Sequence, residues 1–282
     1  MTQSFFPNLD DLLISVDIKT LDPAMVSVEQ VPTSTIVGLQ KGMSKAVWRP
    51  APGRKLGFLV KHNASLLGIL FLASPVINLG ARDIALALPS DPSRKGAALR
   101  NVADLSVCVP SQPFGWRWNG GKLLAMVATT LGRYWEARYG DKLTHITTTS
   151  LWGKGSMYNR VYKFVGYTQG YGHEHITDEE YMRMISWMKR RLVPIPTGHF
   201  GEGSNLRFRV LSAYRKASGD KTHTAFHGNK RGVYVTEATA EPLMTVVARW
   251  YERWGAPRYM RKYNQQAPYT TGLGTSRIRS TD

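Results

Sequence analysis

The apolar positions of the chain gather into short runs separated by polar and glycine-rich stretches. LGFLV (56–60) and LLGILFLA (66–73) are continuous apolar runs of strand length, and Asn63 in the intervening KHNAS suits a tight turn, so the pair predicts a β-hairpin. After a polar loop at 88–101, DLSVCVP (104–110) is short, valine-rich and stopped by Pro110, which predicts a third strand. Leu123, Met126, Val127, Thr130, Leu131 and Tyr134 recur at helical spacing and predict a helix over Lys122–Arg138, ended by Gly140. LTHITTTS (143–150) predicts a further strand, followed by a short helix around Tyr158 and a strand through FVGYT (164–168).

Thr177-Asp178-Glu179-Glu180 forms a capping box that opens a helix running to about Leu192, and Pro194 and Pro196 stop it. Ser204 caps a second helix over NLRFRVLSAYRKAS, with Gly219 as its stop. HGNKRGVYVTEA (227–238) predicts a turn and a strand, and residues 240–254 an aromatic amphipathic helix. Residues 1–53 carry no strong period beyond a short helix at Leu9–Ile14. The chain thus divides into an irregular N-terminal segment (1–54), a core of mixed helix and strand (55–175), a basic helical region (176–255) and a basic flexible tail (256–282). The fold class expected is α/β (α+β), a mixed central sheet flanked by helices.

Composition changes this picture in one respect. Hydrophobic residues at 43% describe an ordinary globular protein, but 37 Lys+Arg against 20 Asp+Glu leave a formal charge of +17. A field of that sign favours polyanions, nucleic acid first among them. The excess is larger in the second half: residues 1–150 hold 16 basic and 10 acidic residues, residues 151–282 hold 21 and 10. The longest apolar stretch, Ser65–Leu79, is broken by Pro75 and too short to span a bilayer, and the N-terminus lacks the basic start of a signal peptide. A soluble, intracellular protein is therefore expected. A single cysteine excludes an internal disulfide, no Cys/His set has zinc-finger spacing, and His173 and His175 form a pair with no visible third ligand, so no metal is expected.

Candidate chemistry concentrates in three places. Arg117-Trp118-Asn119-Gly120-Gly121-Lys122 is a glycine-bearing loop at a predicted helix start, suited either to cradling phosphate or to turning the chain. In SLWGKGSMYNR, Ser150, Lys154, Tyr158, Asn159 and Arg160 bring hydroxyl, amide and cationic groups together; Tyr158 either donates a proton to a leaving group or packs. Asp83 and Asp104 are the carboxylates that could act as a base, Arg82-Asp83 forming either a buried pair or a polar pair at a substrate mouth. Arg82, Lys154, Arg160, Arg207, Arg209, His227, Lys230 and Arg231 are the candidates for nucleic-acid contact. Trp250, Tyr251, Trp254, Arg258, Tyr259, Arg261, Lys262 and Tyr263 interleave aromatic and basic groups, which fits base stacking and a docked helix equally.

Two resemblances follow from these motifs. The order hairpin, strand, R-x-x-G-x-K loop, helix, strand, then MYNRVYKFVGYTQ resembles the core of the N-acetyltransferase (GNAT) fold. That resemblance implies a GNAT-like sheet and acyl-CoA or another activated acyl donor held by Arg117, Gly120, Gly121 and Lys122 beside Val107 and Val109. It further implies a reaction centre between splayed parallel strands, with Tyr158, Asn159, Ser150, Asp104 and Asp83 as its candidates. SPVINLGARD, DLSVCVPSQPFGWRWNGGKLLAM, THITTTSLWGKGSMYNRVYKFVGYTQGYG and NLRFRVLSAYRKASG…FHGNKRGVYVTEA resemble the phage and bacterial family of the anti-phage Druantia component DruA, over residues 55 to 240. Through the GNAT-like core the chain also resembles Mom-type DNA modification proteins. Together these imply a DNA-acting protein in the cytoplasm of a bacterial host cell, working beside other phage modification or defence proteins. The first expectation is a transferase adding an acyl or aminoacyl-type group to a DNA base, and the alternative is a non-catalytic DNA-binding component.

Overall fold

In the computed structural model the described residues are 18–44, 48, 50, 52–151, 153–173, 178–196, 204–220 and 226–263. The Leu9–Ile14 helix, Thr177 of the capping box and the tail beyond 263 lie outside them. A seven-stranded mixed sheet organises the chain, in the order β1-β2-β3-β4-β5-β7-β6. The strands are β1 (Val26–Val31), β2 (Lys55–His62), β3 (Ser65–Ala73), β4 (Val102–Pro110), β5 (His145–Ser150), β6 (Lys163–His173) and β7 (Phe226–Glu237).

The predicted hairpin forms as β2–β3, with Asn63 at φ 52° in its turn and Phe58 opposite Leu70. Its unbroken apolar pattern has a simple cause, since both faces are covered. One face carries Phe58, Val60, Leu70, Leu72, Ala103, Leu105 and Cys108 against the helices α5 (Gly120–Ala128) and α9 (Leu243–Trp250). The other carries Leu59, Ile69, Phe71, Ala73 and Val107 against α1 (Thr33–Met43), whose Ile36 and Leu39 are buried. Fully burying each Val, Leu, Ile or Phe side chain among these contributes about 1.5–3 kcal/mol.

Residues 1–53 are thus less irregular than their pattern suggests, since β1 and α1 lie among them. The helix predicted over 122–138 is interrupted. It runs as α5, a tight turn at Thr129–Leu131, and then α6 (Gly132–Tyr139). Thr129 and Thr130 donate their hydroxyls back to the carbonyls of Met126 and Val127, offering the backbone a competing partner at the break. The polar loop between β3 and β4 contains two short helices, α2 (Gly80–Ala85) and α3 (Pro92–Ala98). Instead of a helix around Tyr158 there is one 3-10 turn at Gly153–Gly155.

Strands β4 and β5 form the sheet's parallel step, and they pair over three positions only: Val102–His145, Ala103–Ile146 and Asp104–Thr147. The ladder between β3 and β4 skips Ser106, passing from Leu72–Leu105 to Phe71–Val107. A bulge of this kind bends its strand, and here it coincides with the end of the parallel ladder, so β4 and β5 splay apart beyond Asp104.

Between β6 and β7 the chain builds α7 (Asp178–Arg190) and α8 (Ser204–Ser218), which share their own apolar cluster of Tyr181, Met184, Met188, Val210 and Leu211. After α9, a π-helical turn at Tyr251–Gly255 leads into α10 (Ala256–Tyr263), so the basic tail begins as ordered helix. Among the described residues no helix is long and apolar enough to cross a membrane.

Candidate functional site

Helix α2 packs across β6 and β7 and delivers Arg82 into a fully buried position. The guanidinium donates from Nη1 to the Val76 carbonyl (2.7 Å), from Nη2 to the Ile77 carbonyl (3.0 Å) and from Nε to Asp83 Oδ1 (2.9 Å). Asp83 Oδ2 accepts from Lys95 Nζ at 3.1 Å and from the Leu79 N–H at 3.3 Å. Burial pushes the Asp83 carboxyl up, but the hydrogen bonds from Arg82 and Lys95 outweigh it and hold the group below its ordinary value.

Asp104 belongs to the same cluster. It alternates with Ala103 and Leu105, which join the helix-covered core, and stands opposite Ala73, so its side chain lies on the other face of the sheet. Burial pushes its carboxyl up to about 7, against the opposing pull of the Arg82 and Arg231 charges and a hydrogen bond from Thr147. Burial likewise depresses Arg231, and the Asp104 charge opposes that shift. Arg231 Nε and Ser106 Oγ are buried without a hydrogen-bond partner. The structure therefore pairs Arg82 with Asp83 and sets the Arg82 and Arg231 charges near Asp104, whose carboxyl can hold or accept a proton near neutrality.

The glycine loop is packed from both sides. A Cβ on Gly120 would stand 2.6 Å from the Phe114 ring, and one on Gly121 2.5 Å from Met157 Sδ. The Asn119 carbonyl accepts from Trp250 Nε1 at 3.2 Å, and Arg258 donates to Asn119 Oδ1 (2.9 Å) and to the Trp116 carbonyl (2.8 Å). Helices α9 and α10 thus roof the start of α5. Lys122 Nζ donates to the carbonyls of Asn159 (2.6 Å) and Met157 (3.0 Å), its pKa lowered first by burial and then by Arg160 and Arg253. Val107 is buried and Val109 half-buried on the α1 side of the sheet.

Tyr158 is buried among Tyr162 and Tyr234, with ring centroids 5.5 and 5.7 Å away. Burial raises its phenol well above the ordinary range, and it shares the helix-covered face with Cys108, opposite Asp104. Ser150 is buried, Asn159 and Arg160 are exposed, and Lys154 is exposed with its Nζ 5.1 Å from the Phe164 ring. Arg209 and Lys230 are exposed, while the side chains of Arg207 and His227 lie outside the described residues. Sequence reasoning missed Lys95 and Ser106, which carry no local signal. It also passed over Trp116, whose signal was the doubled tryptophan of FGWRW.

Residues 46–244 match the profile of the family described as Druantia protein DruA. The chain belongs to the DruA family. It is 30% identical over 210 residues to the Druantia protein DruA of Escherichia coli (strain UMEA 4076-1), an alignment that covers 66% of this chain and 51% of that protein. The chain thus spans about half the length of its DruA relative. The stretch matched to the DruA profile contains the whole Arg82–Asp83–Asp104–Arg231 cluster and stops before α10.

Proposed function

We propose that this chain is a DNA-binding component of a phage-defence system of the Druantia kind. The observation that carries it is the formal charge of +17, which favours a polyanionic partner over a small neutral substrate. The packed α5 loop supports the same reading. Phe114 and Met157 crowd its two glycines and its lysine is held by two carbonyls, which speaks against an acyl-CoA pyrophosphate at this loop. Titration of DNA at several salt concentrations tests the proposal, because phosphate contacts release counterions and make affinity fall steeply with salt.

A second reading, a GNAT-like transferase that modifies a DNA base, is favoured by the bulged, splayed β4–β5 step with Asp104 beside it. There Asp104 would take the proton of an attacking amine. Nucleosides from the digested DNA of expressing cells, and of phages grown in them, are expected to be unchanged in mass. A new nucleoside would establish the transferase instead, and its added mass would name the group transferred.

A further inference from the structure

Helices α4 (Phe114–Trp118) and α10 border an open concavity of about 370 Å³ lined by Trp116, Arg117, Arg258, Arg261 and Lys262. Among the described residues no carboxylate lines it, so apart from Trp116 its lining is cationic. Arg258 is engaged by the fold, bracing Asn119 and the Trp116 carbonyl. Arg117, by contrast, has its Nε buried without a hydrogen-bond partner. Trp116 is 60% exposed, which is unusual for an indole not required by packing. The Arg117 guanidinium lies 5.5 Å and Lys262 Nζ 5.8 Å from its ring.

We propose that this concavity binds single-stranded DNA, with a base stacked on Trp116 and the flanking phosphates held by Arg117, Arg261 and Lys262. The inference rests on the DNA-binding reading and deepens it by naming the site and the form of DNA. An exposed aromatic face beside several cations, with no carboxylate among the lining residues, is the pairing that recognises a nucleotide, since the base supplies a π-face and the backbone supplies the charge. The strand must be single because the base of a duplex has both faces covered by its neighbours. The concavity is open to solvent rather than enclosed, so a chain can cross it.

The test measures binding of a fluorescent oligothymidylate and of a duplex to the full chain by anisotropy. Trp116→Ala is expected to weaken single-strand binding about 10-fold, within the usual range for removing one base stack, with little effect on the duplex. Trp116→Phe should stay near wild type. Arg117→Gln with Lys262→Gln should weaken binding and lower the salt slope by about 0.7 for each phosphate that is no longer neutralised. An unchanged affinity in Trp116→Ala, or an equal weakening with duplex, would remove this site while the DNA-binding reading stood. Wild-type protein that binds neither DNA would overturn both.

Discussion

Replacing Arg82 by methionine is expected to cost about 3–5 kcal/mol of folding free energy, the range for removing one partner of a buried ion pair. Arg82 is fully buried and its guanidinium satisfies Asp83 and the carbonyls of Val76 and Ile77 together. Methionine fills much of the same volume and satisfies none of them. Asp83 would keep Lys95 as its charge partner, which sets the loss below that of a wholly isolated carboxylate. In urea the midpoint should fall with the slope unchanged, since the surface exposed on unfolding is the same. A loss below about 1 kcal/mol would mean that water reaches these groups and that the cluster is open to solvent. Changing Asp83 to leucine in the Arg82→Met background should recover part of the lost stability only when Lys95 is replaced by methionine as well, since the buried Lys95 would otherwise lose its carboxylate partner.

Asp104→Asn should stabilise the protein, by an amount that depends on pH. The folded-state pKa of Asp104 is about 7 against an ordinary 3.8, so between these values the folded chain binds the proton more tightly than the unfolded chain. Stability from this group is fully present below about pH 4 and is lost as pH rises through 7. Asparagine cannot ionise. The advantage of the variant should therefore grow from about pH 4 to pH 7 and then level off, at about 2–4 kcal/mol given 1.36 kcal/mol per unit and the partial exposure of Asp104. Asp83, Asp141 and Glu241 shift downward and act at lower pH with the opposite sign, so the difference between variant and wild type isolates Asp104. A difference that is flat across this window would show that the carboxyl is ionised in the folded protein and well solvated.

The strands with continuous apolar runs were legible because burial on both faces leaves an unmistakable pattern, as in β2 and β3. The edge strand β1 was not, since it buries Val26 and leaves Ser27, Glu29 and Gln30 to polar surroundings or solvent. The glycines at 120 and 121 illustrate a deeper ambiguity. Composition reads them as room for a phosphate, and the fold uses the same room for Phe114 and Met157. Arg82, Asp83, Asp104 and Arg231 were each singled out from sequence, but their convergence depends on α2 crossing β6 and β7, a long-range event with no local trace. The aromatic and basic C-terminal run divides in the same way. Trp250, Tyr251 and Tyr259 are core, whereas Arg261 and Lys262 line a surface concavity with Trp116. Helical spacing alone gives both outcomes equal standing, because only docking decides which face is covered.

The most direct test of DNA binding is the dissociation constant of the full chain for a DNA fragment, measured at salt concentrations from about 50 to 200 mM. A protein of this charge that contacts six or more phosphates is expected to lose about 1,000-fold or more in affinity across that range, with log K falling linearly in log salt. Affinity that stays level with salt, or that is absent at the lowest salt, would contradict DNA binding as the role of this chain.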